Sequence, residues 1–202
     1  KRWISLGFMS LQPSEMAKLS VLVLVARLLE ATGKKVQYQE GNYNDRVSVP
    51  LVFFGETMPS LFNVFAWAGV LRRMSRQVNQ PYPYDVVVVE LGTDGPGQLK
   101  DFAYIQPDST VVSAISPEHM LQFGTLDAVA EEELVVAEYS KKLLVNIADV
   151  DPKYLEGLKY VSYGVEVNAD YRATQTGVRG VTGQTLAVSL PDGSELQVET
   201  AY

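Results

Sequence analysis

Apolar and polar positions along this chain follow two rhythms, one helical and one of strand type. An apolar stretch with helical spacing runs over residues 14–31, opened by Pro13 and Ser14 and closed by Gly33, residues suited to a helix start and a C-terminal cap. A short strand is expected over 36–39, leading into a loop around Asn44. Residues 61–78 read as an amphipathic helix. Phe62, Phe65, Ala66, Val70 and Met74 form its apolar side, and Arg72, Arg73 and Arg76 lie near its C-terminal end. The run Val86-Val87-Val88-Val89 marks a fully buried parallel strand within 84–90. A short helix over 98–105, a strand over 109–115, an acid-rich helix over 126–139 and strands over 142–147 and 159–163 follow. The tail changes rhythm. Alternation over 185–190 and 195–200, separated by Asp192-Gly193, signals a β-hairpin.

This order predicts an α/β fold: a mainly parallel sheet flanked by helices, with a C-terminal antiparallel β-hairpin flap. Strands 85–89, 109–114 and 142–146 are expected as neighbours in one sheet, joined by right-handed crossovers.

Composition narrows the function classes. The chain has 202 residues, 47% of them hydrophobic, enough for one sizeable core. A net charge of −7 argues against a nucleic-acid or anionic-membrane surface. With no Cys and one His, neither a disulfide framework, a thiolate metal site nor a His-cluster site is available. The apolar core of the first helix, Leu19 to Leu29, is interrupted by Arg27 and falls short of the roughly 20 residues that a membrane span needs. No signal-peptide pattern is present. A cytoplasmic protein, without nucleic-acid or membrane partners, is therefore expected.

The candidate chemistry sits where the valine run ends, at Glu90-Leu91-Gly92-Thr93-Asp94-Gly95-Pro96-Gly97. Ligands of open α/β sheets bind at the carboxyl ends of strands, and a carboxylate there suits a hard metal ion beside a nucleotide phosphate. A solvated strand-end Glu followed by a turn is the alternative from this segment alone.

Further segments carry a family resemblance. Glu90-Leu91-Gly92, Gln106-Pro107-Asp108, Ile115-Ser116-Pro117-Glu118-His119-Met120, Phe123-Gly124-Thr125-Leu126 and Val145-Asn146-Ile147-Ala148-Asp149 occur in that order. Upstream stand Gly41-Asn42-Tyr43-Asn44-Asp45 and Val49-Pro50-Leu51; downstream stand Tyr163-Gly164 and Asp170-Tyr171-Arg172-Ala173. Together these resemble the central ATPase domain of the Mur ligases, the ATP-dependent amide ligases of the peptidoglycan stem peptide, and most of all the D-alanyl-D-alanine-adding members. The resemblance covers about residues 31–202.

The resemblance implies ATP and Mg2+ as cofactors, and a UDP-linked muramyl peptide with an amino acid or dipeptide as partners. It implies that Glu90 binds magnesium near the γ-phosphate, that His119 contributes to a second magnesium, and that Asn42 and Asn44 approach phosphate and substrate. Asp45 stands where the family often has Asn; its charge would repel phosphate or add a metal ligand. Where the family has a carbamylated Lys, this chain has Glu133, a permanent carboxylate that would substitute for it. Glu131 and Glu132 read as solvent-facing helix acids, and Glu133 is open to both readings.

The N-terminus departs from that family. The expected Gly-x-x-Gly-Lys-Thr/Ser loop, whose backbone N–H groups cradle phosphates, is missing. Gly33-Lys34 follows the first helix instead of opening it. Counting back, Lys18 and Ser20 fall near the positions of the phosphate-binding Lys and a neighbouring hydroxyl, but Gln12 and Ala17 stand in place of the glycines. Arg2-Trp3-Ile4-Ser5-Leu6-Gly7 and Leu11-Gln12-Pro13-Ser14-Glu15-Met16-Ala17-Lys18-Leu19 instead resemble the SEDS family, the polytopic membrane glycosyltransferases of cell elongation and division. A plain helix start at Ser14 explains part of the same segment.

Two divisions are thus expected: 1–30, a SEDS-like loop and helix in place of the phosphate loop, and 31–202, an incomplete Mur-ligase-like central domain without a separate C-terminal ligase domain. The expectation is a fragment or variant of a Mur-type ligase, not catalytically competent as an isolated chain. The alternatives are a non-catalytic remnant or chimeric module, and a SEDS-type membrane-associated fragment.

Overall fold

A computed structural model describes residues 4–5, 10–11, 32–39, 43–178 and 183–201. The helix expected over 14–31, Lys18 with it, and Asn42 lie outside the described residues. The chain forms two compact units, residues 1–92 and 93–202.

In the first unit, β1 (Ile4–Ser5) and β2 (Ser10–Leu11) form a minimal antiparallel pair. β3 (Val36–Tyr38) pairs in parallel with β4 (Val86–Val88), Val36 opposite Val86 and Tyr38 opposite Val88. Asp85 anchors the start of this ladder, its carboxylate accepting the Lys35 N–H at 2.8 Å while its own N–H donates to the Lys35 carbonyl. β4 therefore belongs to a two-stranded sheet and not to the sheet holding the 109–114 and 142–146 strands, which corrects the expected single sheet. Its residues are also only half-buried, which corrects the fully buried strand expected from the valine run; an apolar run does not say which neighbour it pairs with or what covers it.

Between β3 and β4 stand two helices, α1 (Ser48–Phe53) and α2 (Val64–Gln77). α1 buries Val49, Leu51 and Val52. Asn63 caps α2, its side chain accepting the Ala66 N–H at 3.0 Å. A two-pronged Arg73–Glu56 pair (2.7 and 2.6 Å) ties α2 to the loop after α1. α2 buries Val70 alone, whereas Phe62 and Phe65, placed on its apolar side by the sequence pattern, are almost wholly exposed.

The second unit is built on a six-stranded sheet of order β10-β9-β8-β7-β6-β5. β5 (Thr110–Val112), β6 (Leu143–Asn146), β7 (Val161–Val165) and β8 (Tyr171–Val178) run parallel to one another; β9 (Gly183–Ser189) and β10 (Glu195–Ala201) continue antiparallel. The parallel β5–β6–β7 run and the β9–β10 hairpin fit the expectation in part. The turn carries Pro191, a Gly193-to-Leu190 hydrogen bond of 3.0 Å and Gly193 at φ 83°.

β8 was not foreseen as a strand. It follows β7 after residues 166–170 only, although parallel neighbours ordinarily need a crossover of a dozen residues or more. Two features hold this reversal. Glu166 adopts the left-handed conformation (φ 56°). Asp170 accepts both the Ser162 N–H (2.8 Å) and hydroxyl (2.6 Å), while the Asp170 N–H donates back to the Ser162 oxygen (2.9 Å).

Two short helices, α3 (Met120–Phe123) and α4 (Leu126–Leu134), separate β5 from β6, with Thr125 capping α4 through the Ala128 N–H. Leu99, Phe102, Val112, Val129, Ala130, Val136, Leu143 and Val145 form the buried core of this unit.

Candidate functional site

In the first unit the carboxyl end of β4 carries Glu90, Leu91 and Gly92, all partly buried. The Glu90 N–H donates to the side-chain oxygen of Gln39, a residue only 1% exposed, at 2.6 Å. Gln39 thereby extends the short β3–β4 ladder toward the strand end. The Gly92 N–H donates to the Asn44 carbonyl at 2.8 Å, and the Asn44 side chain lies across Gly92 so closely that a Cβ at 92 would fall 2.7 Å from Asn44 Nδ2. The structure thus sets Asn44 against Gly92, two residues after Glu90 in the segment that follows β4.

Asp45 has a different task from either expected one. Its carboxylate accepts the N–H groups of Val47 (2.7 Å) and Ser48 (2.9 Å) at the entry to α1. Burial works to raise its pKa, but the hydrogen bonds from Ser48 and Val47 outweigh it and hold the carboxyl below the usual aspartate value.

In the second unit, His119 lies in no strand. It stands seven residues after β5 in the left-handed conformation (φ 48°), immediately before α3, and its carbonyl accepts the Gln122 and Phe123 N–H groups. A pattern that finds an apolar strand cannot see the irregular connection that follows it. His119 Nε2 lies 3.6 Å from Asp94 Oδ1, both side chains being solvent-accessible. Glu133 is partly exposed on α4.

Glu132, read from sequence as a solvent-facing acid, is instead 6% exposed. Its carboxylate accepts the N–H groups of Gly97 (2.5 Å) and Leu99 (2.7 Å) and the Thr93 hydroxyl (3.3 Å). It holds the glycine-rich turn over residues 93–99. Its position three residues after buried Val129 on the same helix was the available signal, since positions i and i+3 share a face. Glu131 is exposed as expected.

Among the described residues, no group of three or more His, Cys, Asp or Glu is gathered to hold a metal ion, and no helix is long and apolar enough to cross a membrane. The donors at the β4 end are hard oxygens. That fits magnesium carried in on phosphate, which protein sites usually hold through one or two carboxylates plus phosphate oxygens and water.

Comparison with solved structures identifies the architecture. MurF from Acinetobacter baumannii superposes with a TM-score of 0.61 at 16% identity, covering 85% of this chain and 34% of that one. MurF ligase from Thermotoga maritima, solved in complex with ADP, gives 0.61 at 18% identity, over 87% of this chain and 36% of that one. A pseudomurein peptide ligase type C from Methanothermus fervidus gives 0.59 at 16% identity, over 92% and 40%. The chain has a Mur-ligase-like fold. It spans between about a third and two fifths of the length of these structures. A family model for FtsW, RodA and SpoVE, described as "Cell cycle protein", matches residues 1–59, in keeping with the SEDS-like motifs at the N-terminus. No curated protein sequence matches the chain.

Proposed function

We propose that this chain is part of an ATP-dependent Mur-type amide ligase of peptidoglycan precursor synthesis. In this reading a UDP-linked muramyl peptide supplies a carboxylate, an amino acid or dipeptide supplies the amine, and the work is done in the cytoplasm. The ligase-like fold supports the reaction class. The observation in this chain that carries the reading is Asn44 packed on Gly92, two residues after Glu90 beyond the end of β4.

Glu90 would hold the magnesium that accompanies ATP, and Asn44, with Asn42, would bind phosphate and substrate. When bound, magnesium and ATP supply an activated acyl phosphate and neutralise charge on the transferring group. His119 and Glu133 are proposed toward a second magnesium. The buried Gln39 positions Glu90 through its backbone, and Glu132 keeps the following turn in shape.

The isolated chain is proposed not to hydrolyse ATP or join amino acids. Gln12 and Ala17 stand where the phosphate loop of the resembled family has glycines, so side chains occupy space that phosphate oxygens need. Calorimetric titration with ATP and magnesium is expected to show no binding tighter than millimolar, about −4 kcal/mol. Micromolar binding lost in Lys18→Ala would overturn this part. At millimolar ATP and magnesium, the backbone amide resonances of Asn44 and Glu90–Gly92 should shift, and Glu90→Gln should abolish the shift. Resonance changes confined to other segments, or none, would reject the ligase reading.

The match over residues 1–59 favours a second reading, a chimeric module in which a SEDS-type segment precedes the ligase-like fold. One uninterrupted reading frame from the matched segment across residue 59 in source DNA would support it, and a break there would reject it.

A further inference from the structure

α2 is held to its unit by one side only. Val70 is buried, Met74 is half-buried and Arg73 reaches Glu56. The outward side of a surface helix is ordinarily polar. Here it is apolar. Phe62 is 93% exposed, Phe65 92%, Val64 73% and Val78 70%, and Leu61 and Leu71 are more than half exposed. Val64, Leu71 and Val78 recur every seven residues and so share a stripe, with Phe65 beside it. Single exposed apolar residues are ordinary; six within residues 61–78, three of them on one stripe, are the mark of an interaction surface.

The charges around this stripe have one sign. Residues 57–84 contain no Asp or Glu, although the whole chain carries −7. They contain Arg72, Arg73 and Arg76. Arg73 is taken up by Glu56, while Arg72 and Arg76 are exposed near the C-terminal end of α2. Arg72 and Arg76 follow Phe65 by seven and eleven positions, which places all three along one line of the helix. A second copy packed in parallel would set arginines against arginines, a like-charge juxtaposition that opposes that pairing. An apolar stripe with a cationic flank and no acid is instead the design of a helix that lies in the plane of an anionic bilayer. At about 1.5 Å per residue, α2 is too short to span one.

We propose that residues 61–78 are a docking surface for an anionic lipid membrane. Phe62, Phe65 and Val64 enter the headgroup–acyl boundary, and the Arg72 and Arg76 guanidinium groups bind lipid phosphates.

Vesicle flotation of the full chain tests this. The protein should float with equimolar phosphatidylglycerol and phosphatidylcholine vesicles, not with pure phosphatidylcholine, and about 0.5 M salt should weaken the association. Phe62→Ser with Phe65→Ser, and separately Arg72→Gln with Arg76→Gln, should each reduce partitioning, by roughly fivefold per arginine lost. Circular dichroism identifies which pair remains folded, and a folded pair decides the outcome. Absence of flotation with anionic vesicles, or equal flotation of a folded variant pair, would overturn the proposal. So would a dimer in analytical ultracentrifugation that the Phe pair abolishes while no vesicle binding is seen, which would assign the stripe to a second copy.

Discussion

The carboxylate of Glu132 accepts the backbone N–H of Leu99 at 2.7 Å from 33 positions away in the chain. The same carboxylate takes the Gly97 N–H and the Thr93 hydroxyl. One helix side chain thus satisfies donors of the turn at the head of the second unit, where no ladder partner exists for them.

Removing that acceptor should be costly. Glu132→Ala leaves the Gly97 and Leu99 N–H groups without it and is expected to destabilise by about 2–4 kcal/mol, with Glu132→Gln intermediate. Glu131→Ala, one position earlier on the exposed face, should stay within about 0.5 kcal/mol. Denaturant unfolding of the three variants checks this, and equal losses for Glu131 and Glu132 would contradict the arrangement.

The Tyr139 hydroxyl donates to the Leu99 carbonyl at 2.8 Å, on the other side of the same turn. Burial, then the charges of Glu132 and Glu138, push its pKa up to about 12. A raised folded pKa means that the fold favours the protonated phenol. Its stabilising contribution is complete below the unfolded tyrosine value near about 10 and is lost as pH rises from there through the folded value. Wild type should therefore lose stability between pH 10 and about 12 more steeply than Tyr139→Phe, as read from unfolding midpoints across that range.

At acid pH the sign reverses. Asp45 is held low by N–H donors that outweigh its burial, and Glu56 is held low chiefly by its hydrogen bonds from Arg73. Lowered folded pKa values mean stability that is complete above the unfolded carboxyl range, about 4, and lost as pH falls through the folded values. Asp45→Asn and Glu56→Gln should each flatten the acid limb of the stability profile while leaving its alkaline limb unchanged.

Gly92 is required by the proximity of Asn44 and not by its backbone angles. Gly92→Ala would place a methyl 2.7 Å from Asn44 Nδ2 and is expected to destabilise by roughly 1–3 kcal/mol. Asn44→Ala should relieve much of that clash, so the double variant should be more stable than the sum of the two single losses predicts. Strict additivity in the cycle would separate the two residues.

The Ser162–Asp170 exchange of hydrogen bonds is expected to hold the short β7–β8 reversal. In Asp170→Ala the Ser162 amide should lose protection in hydrogen exchange, while the β5–β6 ladder should keep its own. Unchanged protection at Ser162 would assign the reversal to Glu166 and the strand ladder alone.

Local physics made much of this protein readable in advance. The valine run, the apolar strands before residue 165 and the Pro191–Gly193 hairpin depend on side-chain period and turn chemistry, which act over a few neighbouring residues. Asn44 and Glu90 were legible as site candidates through the family motifs, but the packing of Asn44 on Gly92 was not, because residues far apart in sequence touch only once the chain folds. The partner of β4, the burial of Glu132 beside exposed Glu131 and the left-handed turn at His119 were decided by the tertiary structure for that reason. Phe62 and Phe65 show the limit most plainly: periodicity finds an apolar stripe on α2, but whether anything covers it depends on what the rest of the chain leaves beside it.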